Sequence, residues 1–300
     1  MLALQDTTVA NGASSRLMFE KKLIFSQASK FEFVLESYGV RVKVQASSRQ
    51  LLRVAEQTAR KALLDRLEVV ENIDAEHTFG IFGDASDTLY LVRNGERVSS
   101  DSSHPRFFRF FDSLLRITIA EHAIDRVFIH AGVVGWKGRA VVLPANSFCG
   151  KTTLVAELVR NGAEYYSDEY AILDPSGLVH PFPRDLSVRY IDGEMRERQV
   201  PLEELGGVEG SVPIPVGVVL LTKYDDNAVW KPERLTLGQG MMEVIPHTIP
   251  RIFNPEFSLK VLNTSLRDAI ILKSSRGNAT DFAIELLSFF DNFIDLAKTT

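Results

Sequence analysis

The sequence is poor in cysteine and lacks long apolar runs. Cys149 is the single cysteine among 300 residues, which excludes an intrachain disulfide and is typical of a reducing compartment. Apolar stretches such as Val216–Leu221 are much shorter than a bilayer span. The polar stretch Met1–Arg16 lacks the apolar segment of a signal peptide. We therefore expect a cytoplasmic protein that does not enter a membrane.

An excess of positive charge is also missing. The formal net charge is −5, so no general attraction to nucleic acid or to a membrane surface is expected. No Cys/His cluster has the spacing of a structural zinc site, and no Gly-x-Ser-x-Gly motif marks a hydrolase. What is present is the composition of an ordinary globular protein, with 45% apolar and 24% charged residues.

The chain divides into three parts. Residues 1–16 show no periodicity, and we expect them to be mobile. Residues 17–105 read as a small α+β lobe that ends at the polar break Ser99–Pro105. Its expected elements are a hairpin about Tyr38-Gly39, a helix capped by Ser47 or Ser48, and the strands Phe79–Phe82 and Thr88–Val92.

The larger part, residues 106–300, begins with a helix and then mixes strands with further helices. Two apolar strands are joined by a predicted hairpin turn at Gly135–Gly138. The pattern predicts helices at Arg106–Ala123, Thr152–Arg160 and Asp281–Ala297, and strands at Val127–Val134, Arg139–Leu143, Ala163–Tyr166, Tyr170–Leu173 and Val216–Thr222. We therefore expect an α/β fold with a mixed sheet.

A phosphate-binding loop is indicated between the strand Arg139–Leu143 and the helix that follows it. Gly150-Lys151-Thr152 fits the end of a Walker A motif, although Ala145 stands where the motif has its first glycine. Loop amides and a helix N-terminus attract phosphate, the lysine reaches the β- and γ-phosphates, and the threonine hydroxyl holds Mg²⁺. The alternative is a capped helix with a chance Gly-Lys-Thr. The predicted nucleotide-binding residues are Ala145, Asn146, Ser147, Phe148, Cys149, Gly150, Lys151, Thr152 and Thr153.

An acidic pair, Asp168-Glu169, follows the strand after this helix. If that strand pairs beside the phosphate-loop strand, both carboxylates lie near Lys151 and Thr152. Phosphoryl transfer needs one group to order Mg²⁺ and one to take the proton of the attacking hydroxyl. A solvated turn is the alternative. We predict Thr152, Asp168 and Glu169 as metal ligands.

His130 is placed by the hairpin. With a turn near Lys137, His130 lies opposite Pro144, beside the entrance of the phosphate loop. It is a candidate to contact phosphate or to orient a carboxylate. A histidine at a strand end whose ring bonds to backbone is an equally good interpretation. Weaker candidates for a phosphate contact are Arg184, Arg189, Lys223 and Arg276.

These segments together resemble the catalytic domain of HPr kinase/phosphorylase. The resemblance rests on Ile129-His-Ala-Gly-Val-Val134 and on the run from Gly150 to Glu169. It implies a P-loop core similar to that of ATP-dependent phosphoenolpyruvate carboxykinase. It also implies that Asp168 is the general base, that Glu169 serves Mg²⁺, and that His130 lies near the phosphates. Ala131 and Glu169 depart from the family's glycine and aspartate.

The resulting expectation is an ATP- and Mg²⁺-dependent serine kinase-like phosphotransferase, with Asp168, Lys151 and His130 as catalytic residues. The acceptor is expected to be a Ser or Thr hydroxyl of a protein or peptide, not necessarily HPr. The family also tends to form homo-oligomers. Two alternatives are a non-catalytic nucleotide-binding module and a carboxykinase-like enzyme that acts on a small metabolite.

Overall fold

The computed structural model describes residues 31–145, 150–192 and 194–298. The expected mobile segment 1–16 and the loop residues Asn146–Cys149 therefore lie outside the described residues. The fold is mixed α/β, as predicted, and the chain forms two compact units, Met1–Ile119 and Ala120–Thr300. Within the described residues, no helix combines the length and apolar character needed to cross a membrane.

The first unit contains one six-stranded sheet in the order β3-β1-β2-β4-β5-β6. The pair β2–β4 is parallel and the other pairs are antiparallel. Its elements are β1 (Phe31–Ser37), β2 (Val40–Ala46), α1 (Arg49–Ala62), β3 (Glu68–Val70), β4 (His77–Gly83), β5 (Leu89–Arg93), β6 (Glu96–Asp101) and α2 (His104–His122).

Local signals explain the start of this unit. Tyr38 and Gly39 both have positive φ, 50° and 74°, which suits a tight hairpin turn. The Ser48 side chain accepts a hydrogen bond from the Leu51 amide and so caps α1. Both predictions are confirmed.

The predicted break at Ser99–Pro105 is wrong in part. Residues 99 to 101 belong to β6, which pairs with β5 along the edge of the sheet. Helix α2, which the sequence analysis assigned to the larger domain, buries Phe107, Phe111 and Leu115 in the core of the first unit. The polar residues 99 to 101 resembled a loop because one face of an edge strand is solvated and can be polar.

The second unit is built on an eight-stranded sheet in the order β11-β10-β7-β8-β14-β16-β15, with β9 also paired to β7. A further pairing of β11 with β14 closes part of this sheet on itself. The pairs β8–β14 and β14–β16 are parallel. Strands β12 and β13 form a separate hairpin.

The bounds of the elements in the second unit are as follows. The strands are β7 (Val127–Trp136), β8 (Arg139–Pro144), β9 (Glu164–Ser167), β10 (Tyr170–Leu173), β11 (Leu178–His180), β12 (Leu186–Asp192), β13 (Glu194–Val200), β14 (Ile214–Tyr224), β15 (Glu233–Leu235) and β16 (Ile270–Arg276). The helices are α3 (Lys151–Arg160), α4 (Leu237–Val244), α5 (Pro255–Leu266) and α6 (Ala279–Lys298), and 3₁₀ turns cover Leu202–Leu205, Ile245–His247 and Ile249–Arg251.

Two apolar clusters cover the faces of this sheet. One contains residues of α3 and α6 such as Leu154, Leu158 and Phe290, and the other contains residues of α5 such as Leu262. Gly132 in β7 permits α3 to pack closely, because a Cβ there would lie 2.6 Å from the Val155 side chain. The packing holds the N-terminus of α3 against the middle of β7, next to the end of β8, where the predicted site residues lie.

Candidate functional site

Gly150 caps the N-terminus of α3 in a left-handed conformation, with φ 72° and ψ 22°. Glycine adopts this conformation without the penalty that a Cβ brings. The Gly150 carbonyl accepts a hydrogen bond of 3.0 Å from the Arg276 guanidinium, and Arg276 is only 3% exposed. A buried arginine therefore fixes Gly150, the residue at which α3 begins and the predicted phosphate loop ends.

Arg276 comes from the end of β16, where it pairs with Tyr224 in the parallel register of β14 and β16. Its guanidinium carbon lies 5.5 Å from the centre of the Tyr224 ring, within the range of a cation–π contact. Its guanidinium also donates to the Gly277 carbonyl at 3.0 Å. Sequence reasoning ranked Arg276 as a weak phosphate contact, whereas the structure shows it supporting the loop backbone.

Lys151 and His130 are in direct contact. The Lys151 Nζ lies 3.1 Å from His130 Nε2. His130 reaches this place because β7 and β8 pair with Ala131 opposite Pro144, and because the Ala145 amide donates to the His130 carbonyl. The predicted position of His130 at the loop entrance is therefore confirmed, with a register shift of one residue.

The His130 ring is neutral at physiological pH. Burial, the positive charge of Lys151 and His247 lower its pKa to about 4, while a hydrogen bond to the Glu169 backbone acts in the opposite direction. A neutral imidazole has one acceptor nitrogen, so Nε2 accepts from the lysine ammonium and Nδ1 carries the proton. His130 thereby orients Lys151 without adding charge.

Asp168 lies at the centre of a group of hydrogen-bond donors. Its Oδ2 is 3.4 Å from both the Thr152 hydroxyl and the Ser187 amide. Its Oδ1 is 3.3 Å from the Tyr165 hydroxyl, which also lies 2.6 Å from the Arg184 carbonyl oxygen. A carboxylate held by donors from three separate segments has a fixed orientation.

The environment of Asp168 makes its carboxylate more basic than one in water. Burial and the negative charge of Glu169 raise its pKa, against the lowering effects of Ser187, Lys151 and Tyr165. A raised pKa makes this carboxylate a stronger base than one in water. Titratable groups with such shifts are common at catalytic sites, although structural networks also produce them.

The route by which Asp168 reaches this place differs from the prediction. Strand β9 pairs with β7, with Ser167 opposite Val133, rather than with β8. Strand β7 therefore lies between β8 and β9, and His130 pairs with Tyr170 of β10, just beyond the end of β8. The carboxylate still faces the start of α3, because Thr152 on that helix approaches it directly.

Glu169 is held at the turn between β9 and β10. Its amide donates to the Ser167 hydroxyl at 3.1 Å, and its carbonyl accepts from the Ala131 amide at 3.1 Å. Its carboxylate lies 4.0 Å from Arg184 Nε. Arg184, one of the weaker candidates, is thus next to the acidic pair.

The oxygen donors at this place fit Mg²⁺. The Thr152 hydroxyl and the Asp168 carboxylate are neighbours, and Glu169 follows in the chain. Within the described residues, no group of three or more His, Cys, Asp or Glu side chains is arranged to hold a metal. Mg²⁺ commonly uses one or two protein ligands together with waters and substrate phosphates, so this set suits a metal that enters with a nucleotide.

The structure brings together most of the predicted residues that it describes: His130, Ala145, Gly150, Lys151, Thr152, Asp168 and Glu169. Thr153 is exposed on α3. The Arg189 side chain lies outside the described part of the chain. Trp230 packs against Phe282 and Phe289, at centroid distances of 5.4 and 5.1 Å.

Sequence reasoning missed Tyr165 and His247. Tyr165 precedes Asp168 by three residues in the same segment, which was a usable signal for a support role. His247 lies more than a hundred residues beyond His130 in the chain, so only tertiary structure shows their proximity.

Comparisons with known proteins add no assignment. No protein-family model matches this chain, and a search of curated proteins found no significant match.

Proposed function

We propose that the chain is an ATP- and Mg²⁺-dependent phosphotransferase related to HPr serine kinase. In this proposal it transfers the γ-phosphoryl group to a hydroxyl, most naturally that of Ser or Thr in a protein or peptide. The observation that carries the proposal is the position of the Asp168 carboxylate beside Thr152 at the start of α3, with Lys151 on the same turn. The finer fold assignment, a carboxykinase- and HPr-kinase-like P-loop core, and a cytoplasmic location are part of the same proposal.

The protein groups divide the work as follows. The α3 N-terminus and Lys151 bind the phosphates, because unpaired amides, the helix dipole and the ammonium all favour negative charge. Neutral His130 holds the lysine in place. Mg²⁺, bound with the nucleotide by Thr152, Asp168 and Glu169, would neutralise phosphate charge.

Asp168 takes the proton of the acceptor hydroxyl as that oxygen forms its bond to the γ-phosphorus. The bond between the γ-phosphorus and the bridging oxygen breaks, and ADP leaves with the electron pair. The proton remains on the Asp168 carboxylate until solvent removes it. The raised pKa of Asp168 suits this role, and it favours a catalytic site over a non-catalytic nucleotide-binding module.

Incubation with γ-labelled ATP, Mg²⁺ and hydroxyl-bearing peptides tests the proposal. We expect Asp168→Asn to keep measurable ATP binding through Lys151 and the α3 N-terminus, and to reduce label transfer by about a thousandfold. The exposed Asp268→Asn variant, at the end of α5, is the matched control and should transfer label as the unchanged protein does. ATP binding without transfer or hydrolysis in the unchanged protein would contradict the catalytic assignment and leave the binding module.

A further inference from the structure

A second group of basic side chains adjoins the phosphate site. Ile129 in β7 forms an antiparallel bridge with Thr248. In an antiparallel bridge the next residue of one chain lies opposite the preceding residue of the other, so His247 lies opposite His130. The 3₁₀ turns Ile245–His247 and Ile249–Arg251 thus occupy the edge of β7 where β8 ends and the phosphate loop departs.

The positive charges of Lys151 and Arg251 dominate at this edge. Burial first, and then the positive charges of Lys151 and Arg251, lower the pKa of His247, with Glu243 opposing them. Glu243 forms an ion pair with Lys273 at 2.5 Å, which reduces its compensating effect. Arg251 donates to the Thr248 carbonyl at 2.7 Å. The edge therefore has a positive potential that attracts an anion.

The order of these groups indicates which anion they meet. In the proposed function, Lys151 marks the γ-phosphate end of the nucleotide. His247 is half-buried beside it, and Arg251 is exposed. Lys151 and Arg251 therefore lead as positive charges from the γ-phosphate to the surface, with the uncharged His247 ring near both. This is the direction from which an acceptor enters.

We infer that His247 and Arg251 form an acceptor subsite that recognises a carboxylate close to the reacting hydroxyl. This inference rests on the proposed function, because it assigns the acceptor side of the same site. Two kinds of acceptor carry a carboxylate near a hydroxyl: a peptide with Ser or Thr next to an acidic residue, and a small hydroxy acid. Exposed Ile252 and Phe253 continue the same segment, at 71% and 54% exposure, and offer apolar contact to a peptide.

Matched acceptors test the inference. The full chain is assayed with γ-labelled ATP and two peptides that differ only in Asp or Asn beside the serine, and separately with glycerate and glycerol. One of these two pairs should be the better acceptor class. Within that pair, we expect the acidic member to have a KM about fivefold lower than its uncharged partner at low salt. Arg251→Gln and His247→Gln should remove that preference and leave the KM for ATP unchanged. Arg267→Gln, an exposed arginine at the end of α5, should retain the preference.

Direct binding measurements test the acceptor subsite separately from the proposed function. Fluorescence anisotropy measures the affinity of the labelled Asp and Asn peptides, and competition by glycerate or glycerol covers the second source. Equal affinities within both pairs would overturn the acceptor subsite even when the protein binds ATP. The same holds if Arg251→Gln and Arg267→Gln show the same preference for the acidic probe. Failure to bind ATP contradicts the proposed function, whereas a preference for the acidic probe that depends on Arg251 would still support the anion site.

Discussion

At the scale of single residues, the site depends on side chains that control the charge of their neighbours. Burial first, and then the positive charge of Lys151, lower the pKa of both His130 and His247. Burial and Glu169 act on Asp168 in the opposite direction and raise its pKa. The result is a neutral imidazole beside a cation, and a carboxylate more basic than usual. Both states suit the proposed function, in which the imidazole accepts from the lysine and the carboxylate accepts a proton.

Tyr165→Phe tests this control of charge. The Tyr165 hydroxyl lowers the pKa of Asp168, so its removal raises that pKa further. Because the base must be deprotonated to act, the acidic limb of the rate profile should move to higher pH. Activity at pH ~6 should fall by about threefold to tenfold, while activity at high pH changes little. Rates of label transfer across pH, for this variant and for the unchanged protein, give the measurement.

The matched control for Tyr165→Phe is Tyr166→Phe. Tyr166 is equally buried, and its hydroxyl donates to the Val212 carbonyl instead of approaching Asp168. This variant loses a buried hydrogen bond without changing the acidic limb. The same shift in both variants would show that the effect is one of stability.

Residue types and spacing were enough to predict that Lys151, Thr152, Asp168 and His130 lie together, because phosphate chemistry restricts which side chains such a site uses. They were not enough for Arg276 or His247. Arg276 reaches Gly150 only because β16 runs parallel to β14. His247 faces His130 only through an isolated bridge between distant segments. Such contacts leave no local pattern in the sequence.

At the scale of secondary-structure elements, the start of α3 is the critical junction. Gly150→Ala should weaken ATP binding and destabilise the fold by about 1–2 kcal/mol, since left-handed backbone is unfavourable for alanine. In addition, a Cβ there would lie 2.7 Å from an Arg276 guanidinium nitrogen. ATP titration and thermal unfolding measure the two effects.

Gly206→Ala provides the control for backbone strain. Gly206 also has a positive φ, 64°, but a Cβ there meets nothing within 4 Å. It should lose stability through strain alone and keep its affinity for ATP. If Gly150→Ala binds ATP as Gly206→Ala does, the junction does not shape a phosphate site.

The elements with strong local signals were predictable, including the hairpin before the phosphate loop, α3 and β10. The pairing partner of β9 was not, because a short buried strand has the same pattern beside β7 as beside β8. Likewise, β12 and β13 were missed. Strand β13 is rich in arginine and glutamate and lacks a clear apolar alternation, whereas the alternation of Leu186, Val188 and Tyr190 in β12 was a usable signal.

At the scale of the whole molecule, the chain forms two compact units, each with its own core. The first unit ends within helix α2. Its buried residues Phe107, Phe111, Leu115 and Ile119 belong to the core of the first unit. The sequence suggested a boundary near residue 105 because the polar segment before α2 resembles a linker.

Truncation tests this boundary. A fragment of residues 31–122 should fold cooperatively, whereas a fragment of residues 31–105 should not, because loss of three buried phenylalanine or leucine side chains costs about 3 kcal/mol or more each. Circular dichroism during thermal unfolding distinguishes the two. A cooperative transition of equal midpoint in both fragments would place the boundary at residue 105.

The central claim is that the start of α3 binds a nucleoside triphosphate through Lys151. Calorimetric titration of Mg²⁺-ATP measures it most directly, with Lys151→Ala compared against Lys260→Ala, an exposed lysine on α5. We predict that the unchanged protein and Lys260→Ala bind ATP alike, and that Lys151→Ala loses affinity by about a hundredfold. Equal ATP affinity in Lys151→Ala and Lys260→Ala would contradict the account.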